Sequence, residues 1–175
     1  MSDLNVRRAE PRDLPELHDA QRRTIIAFCA PFYETETLET FLASGGLVAE
    51  ALVASGSYRV IARGPRIVGG AGWTDGAPGH PAVTPAADAW LRGVFIVPEE
   101  SGRGTGQSLV ASVLADVQAA GRPRVDLLAT LNAVPFYRRL GWRSIRAISL
   151  PMDGTPEMAT VWMTRIEPHP LRRAA

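Results

Sequence analysis

The sequence predicts one α/β domain of the α+β type: a mixed, mostly antiparallel sheet of about seven strands with helices on both faces. Three observations carry that expectation. Short β-branched runs punctuated by Gly and Pro alternate with segments of helical period. The early strands meander through tight turns, whereas the middle of the chain runs strand–helix–strand, a connection that makes a parallel pair. A length of 175 residues with 46% hydrophobic content suits a single core. The domain is expected over residues 1–167, with 168–175 a disordered tail.

In chain order, residues 4–9 read as the first strand. Asp13 is placed to cap a helix with Leu14, Leu17, Ala20, Thr24 and Ile25 on one face. A second helix spans 35–43 after Pro31, and a short one covers 47–53. Residues 58–63 and 66–73 form a hairpin around Gly64-Pro65. Residues 74–87 are a loop rich in Gly, Pro and Ala. A strand at 88–97 leads through glycines into a long helix marked by Leu109, Val110, Val113, Leu114 and Val117. Residues 125–129 are another buried strand. The next helix has Asn132 as its N-cap, Pro135 in its first turn and Gly141 as terminator, with Arg138 and Arg139 suiting its negative end. Segments 142–150 and 158–166 close the sheet as a hairpin across 151–157.

The strand–turn–helix at 94–109 carries the most chemical information. Gly102, Gly104 and Gly106 alternate, so the backbone can turn its N–H groups inward and admit a ligand without meeting a Cβ. Added to a helix N-terminus, those donors make a site for a pyrophosphate, and Arg103 adds charge. A dinucleotide fingerprint is not met: Asp126 could be its acidic residue, but Gln107 stands where the third glycine belongs. A Walker A loop fails for want of a Gly-Lys pair. The glycines could otherwise be a tight turn alone.

What remains resembles the acetyl-CoA loop of the GNAT N-acetyltransferases, V-x-P-x-x-[Q/R]-G-x-G-x-[G/A], here running from Ile96 through Pro98 to Gly106, with Ser101 in place of the usual Gln or Arg. The string from Thr130 through Asn132, Phe136, Tyr137 and Gly141 to Trp142 is similar to that family's second motif, F/L-Y-x-x-x-G-F/W. Leu91-Arg92 and Ala129-Thr130-Leu131 are similar to a subgroup of uncharacterised bacterial members. The resemblance implies a GNAT fold whose strands 88–97 and 125–129 splay apart. It implies acetyl-CoA as co-substrate, with no metal. Its pantetheine arm would lie along Val94, Phe95 and Ile96, and its phosphates against Ser101, Gly102, Arg103, Gly104, Thr105, Gly106 and Gln107. Asn132 would contact the arm, unless Thr130 holds that place. Tyr137 would protonate the departing thiolate, the alternative being an aromatic that packs one helix face. Homodimers are common in the family.

The implied activity is acetyl transfer to a primary amine of a small molecule or peptide by direct attack; the alternative is a non-catalytic acyl-CoA-binding module. Trp73, Trp90 and Arg92 are candidates for the acceptor pocket, core packing being the alternative for the tryptophans and the arginine pointing to an acceptor carboxylate. Asp75, His80 and Asp88 lie near the acceptor side as candidate bases, with deprotonation through water the alternative. Glu34, Glu36 and Glu39 could attract a cationic acceptor or form a solvated face. A net charge of +1 argues against nucleic acid and acidic membranes. All 19 basic residues are arginine, so no lysine side chain can accept an acetyl group. The single cysteine, Cys29, excludes an internal disulfide and reads as a buried helical thiol. Residues 1–11 lack the apolar core of a signal peptide, and Gly45-Gly46 and Glu50 interrupt the longest apolar stretch. A cytoplasmic protein is expected.

Overall fold

The structure, a computed structural model, describes residues 4–77, 83, 87–152 and 154–166, with backbone alone for 154–156. Expectations for the 168–175 tail, for His80 and for most of the 74–87 loop lie outside these residues.

Seven strands form one sheet in the order β1-β2-β3-β4-β5-β7-β6. They are β1 (Leu4–Arg8), β2 (Tyr58–Arg63), β3 (Arg66–Thr74), β4 (Ala89–Ile96), β5 (Arg124–Thr130), β6 (Arg143–Met152) and β7 (Gly154–Ile166). Every neighbouring pair is antiparallel except β4 and β5. The helices are α1 (Leu14–Cys29), α2 (Thr35–Ala43), α3 (Glu50–Ala54), α4 (Thr105–Ala119) and α5 (Val134–Arg139). Leu109, Val110, Val113 and Val117 of α4 and Leu17 and Ala20 of α1 join the main core with the apolar residues of β2 to β5. The helical spacing read from the sequence is therefore the spacing of buried side chains.

Three local expectations need correction. Asp13 does not cap α1 with its side chain; its carboxylate accepts from the Glu10 N–H and from Arg7 instead, because a 3-10 turn at Pro11–Asp13 precedes the helix. Asn132 does not cap α5, since the chain enters through a 3-10 turn at Leu131–Ala133 and Ala133 takes the N-cap position. The expected 151–157 loop is mostly strand, with Met152 paired to Gly154. Pro151 is tolerated there because β6 is a sheet edge, where a missing N–H leaves no ladder bond broken.

The one parallel pair is short. β4 and β5 are in register only at Ala89↔Val125 and Trp90↔Asp126, after which they diverge. A register shift between β3 and β4 sets that divergence: Gly70 faces Phe95 and Gly72 faces Arg92, so β4 carries an extra residue at Gly93-Val94. Gly93 takes φ +57°, and the fully buried Tyr58 holds it by donating its hydroxyl to the Gly93 carbonyl at 2.6 Å. Any Cβ at Gly70, Gly72 or Gly93 would press on the Tyr58 ring. The bulged strand and its tyrosine are thus one packed unit, and the unit opens the sheet.

Candidate active site

A cavity of about 1070 Å³ fills the opening between the diverging strands. One wall is the β4 edge from Leu91 to Ile96; the other is β5 from Leu127 to Thr130. Beyond Trp90 and Asp126 the facing edges have no ladder partner, so they offer main-chain donors and acceptors to an extended ligand.

At the β4 end the cavity meets the glycine turn. Gly102 and Gly104 adopt φ +75° and +80°, and a Cβ built on either would have nothing within 4 Å. Gly104 is the N-cap of α4, and the first bond into the helix is from the Ser108 N–H to the Gly104 carbonyl at 3.1 Å. The N–H groups before it have no intrahelical acceptor, and the helix dipole adds positive potential there. An open left-handed turn with free N–H groups fits the phosphates of coenzyme A. Below the turn, Arg63 grips the buried Glu100 carboxylate at 2.8 and 3.0 Å and holds it below the usual carboxylate range.

Across the cavity, α5 ends in a Schellman motif: the Trp142 N–H bonds the Tyr137 carbonyl, the Gly141 N–H bonds the Arg138 carbonyl, and Gly141 has φ +91°. The accompanying apolar contact is Tyr137 against Trp142, with ring centroids 5.5 Å apart at 68°. Phe136 packs on the other side of the tyrosine at 5.2 Å, again edge-on. The ring is fixed by its neighbours while its hydroxyl, on the cavity wall, bonds no other described residue. Burial pushes that phenol well above the usual tyrosine range, so it stays protonated.

Of the residues singled out from the sequence, the structure brings Arg92, Val94, Phe95, Ile96, Ser101, Gly102, Gly104, Gly106, Gln107, Asn132 and Tyr137 to the cavity wall. Arg103 is exposed on the turn, 3.9 Å from Glu100, and Thr105 is buried beneath it with an unpartnered hydroxyl. Trp73 packs against the core rather than on the cavity. Asp75 pairs with Arg122 at the surface, and Asp88 accepts from the Arg124 N–H; neither lines the cavity. Glu34, Glu36 and Glu39 are exposed and away from it. Asp126 is fully buried and accepts from Trp162, Thr164 and Arg124, a structural knot rather than a ligand site.

Sequence reading missed the remaining walls: Ile25, Phe28 and Cys29 of α1, Phe41 of α2 and Leu150 of β6. Cys29 is buried as expected, but its thiol also donates to the Asn132 side-chain oxygen at 3.2 Å, and burial pushes it up to about 11. Tyr33, also unread, accepts from the Leu131 N–H and donates to the Ala159 carbonyl, both at 2.7 Å, tying α1 and α2 to the turn that carries Asn132.

Comparison with known proteins agrees with this geometry. The GNAT acetyltransferase domain family matches residues 29–154. A GCN5-related N-acetyltransferase from Rhodopseudomonas palustris superposes with a TM-score of 0.75 at 20% identity, covering 95% of this chain and 97% of that one. The PaiA N-acetyltransferase of Thermoplasma acidophilum, solved in complex with coenzyme A, gives 0.71 at 14% identity over 94% and 99%. A GCN5-related N-acetyltransferase from Ralstonia eutropha gives 0.65 at 24% identity over 87% and 100%. At these identities the likeness is one of fold. No curated protein sequence matches significantly. Among the described residues, no helix is long and apolar enough to cross a membrane.

Proposed function

The chain belongs to the GNAT acetyltransferase family, acetyl-CoA-dependent acyltransferases, and on that premise we propose that it moves an acetyl group from acetyl-CoA to a primary amine by direct attack, with Tyr137 as the general acid. The observation that carries this reading is the Tyr137 side chain: protonated, held by packing, on the wall of the cavity, and with no hydrogen-bond partner among the described residues.

Acetyl-CoA supplies an acetyl carbon activated as a thioester. The open turn at Gly102 and Gly104 and the first N–H groups of α4 bind its phosphates. The free β4 edge around Val94 to Ile96 binds the pantetheine amides as an added strand would, and the Asn132 amide N–H groups remain available beside them. The acceptor nitrogen, once neutral, attacks the carbonyl carbon. As the C–S bond breaks, Tyr137 gives its proton to the sulfur, whose thiol pKa of about 8.5 makes a bare thiolate a poor leaving group at neutral pH. Among described residues lining the cavity, the one carboxylate is Glu100, already bound by Arg63, which favours deprotonation of the ammonium through water. A free-thiol release assay with acetyl-CoA and a panel of primary amines tests the reading. Amine-dependent thiol release is expected. Tight coenzyme A binding with no turnover on any amine would favour the non-catalytic module instead.

A further inference from the structure

One side chain on the cavity wall has no task in binding coenzyme A. Arg92 lies on β4 two residues before Val94, about 7 Å along the strand. It is half-buried and makes no hydrogen bond or ion pair with any described residue. Desolvation lowers its guanidinium below the ordinary range, yet an arginine stays charged. A partly desolvated cation with no counter-ion is costly in a folded protein and is the expected state of a site whose anion arrives with a ligand. On the same strand, Trp90 also lines the cavity with its indole N–H buried and unpartnered. Two side-chain donors thus lie here without a partner among the described residues. Glu100 is taken by Arg63, and no other carboxylate among described residues reaches the wall, so a polycationic acceptor finds no partner here.

The cavity also has an apolar wall. Leu150 packs against the cluster of Trp90, Ile148 and Trp162 and also against that of Cys29, Leu38 and Met158, which Ile25 and Phe41 join. Ile25, Phe28, Phe41 and Leu150 all face the cavity. An occupant that satisfies both halves carries an anion and an apolar group on one small frame.

Building on the acetyl-transfer reading above, we propose that the acceptor is a free apolar α-amino acid, its carboxylate held by Arg92 and its side chain lodged among Ile25, Phe28, Phe41 and Leu150. The amino nitrogen loses a proton to water and forms the N–C bond to the acetyl carbon. As the C–S bond breaks, the nitrogen of the tetrahedral intermediate gives its second surplus proton to water, and the sulfur takes the Tyr137 proton, which solvent then replaces. The products are an N-acetyl amino acid and the free thiol of coenzyme A.

The test compares leucine, phenylalanine and methionine with their carboxamides and with the matching decarboxylated amines, in the wild type and in Arg92→Gln. The wild type should favour the free amino acids in kcat/KM by roughly ten- to a hundredfold, the span of a lost charge-assisted hydrogen bond. Arg92→Gln should erase that preference through KM, leave coenzyme A affinity unchanged, and melt close to the wild type, since no hydrogen bond or ion pair with a described residue is lost. A preference for the decarboxylated amines, or a preference that survives Arg92→Gln, overturns the proposal and leaves acetyl transfer standing. Should no amine turn over, acetyl transfer fails. Calorimetry of phenylalanine with the coenzyme-A-loaded protein then decides separately: binding abolished by Arg92→Gln upholds the carboxylate site, and no binding overturns it.

Discussion

Replacing Gly104 by valine isolates the phosphate cradle. At φ +80° a β-branched residue is strained by about 1–2 kcal/mol, and its Cβ would project into space that no protein atom occupies within 4 Å. Gly104 is the N-cap of α4 and so adjoins the unsatisfied N–H groups at the start of that helix. Blocking two charge-assisted hydrogen bonds there, at about 1.5–3 kcal/mol each, weakens coenzyme A by 3–6 kcal/mol, at least a hundredfold. The strain alone must be subtracted, and Gly121→Val supplies the control. Gly121 has φ +74°, equally open surroundings, and sits at the far end of α4 away from the cavity. Both variants should lose a similar, small amount of stability, but titration calorimetry should register the affinity loss in Gly104→Val alone. Unchanged affinity in a folded Gly104→Val, or an equal loss in Gly121→Val, would refute the cradle.

Further expectations follow from named contacts. Tyr58→Phe strips the Gly93 carbonyl of its 2.6 Å donor, costing about 1–3 kcal/mol and lowering Tm by roughly 2–10 °C; acetyl-CoA KM should rise as the bulge relaxes, and an unchanged Tm and KM would show the bulge stands without it. The hydrogen bonds from Arg7 and Arg59 hold the Asp13 and Asp116 carboxyls below their ordinary range. Their stabilisation is therefore complete above the unfolded carboxyl value of about 4 and lost as pH falls through the lower folded values. Urea titrations at pH 7 and pH 3 should show Asp116→Asn reducing that pH difference, by no more than about 1 kcal/mol for so exposed a pair. Because burial raises the Tyr137 phenol, kcat/KM should climb with pH as the amine deprotonates, with no falling limb from Tyr137 below pH 10; a limb near pH 8 that disappears in Tyr137→Phe would contradict its assignment as the acid.

The sheet and the left-handed glycine turn were legible because their causes are local. Gly102, Gly104 and Gly141 each hold a left-handed φ that only glycine takes easily, so the residue type reports the backbone directly. The α4 spacing reports burial in the same way. Asn132 misled as a cap because two turn geometries begin with the same residue types, and only tertiary packing against Cys29 chose between them. The apolar walls at Ile25, Phe28, Phe41 and Leu150 carried no signal. They read as ordinary core positions, and nothing local tells a side chain that fills a core from one that borders a cavity. Arg92 was legible as a residue type and strand position, whereas its lack of a partner is a property of the fold.

Tyr137→Phe tests the central claim most directly. The substitution keeps the ring between Phe136 and Trp142 and removes one oxygen that bonds no other described residue. With a turned-over amine in hand, kcat should fall by about 10²–10⁴-fold, while acetyl-CoA affinity and Tm stay at wild-type values. Full turnover in a folded Tyr137→Phe would contradict the account, and unfolding would show that the tyrosine belongs to the core.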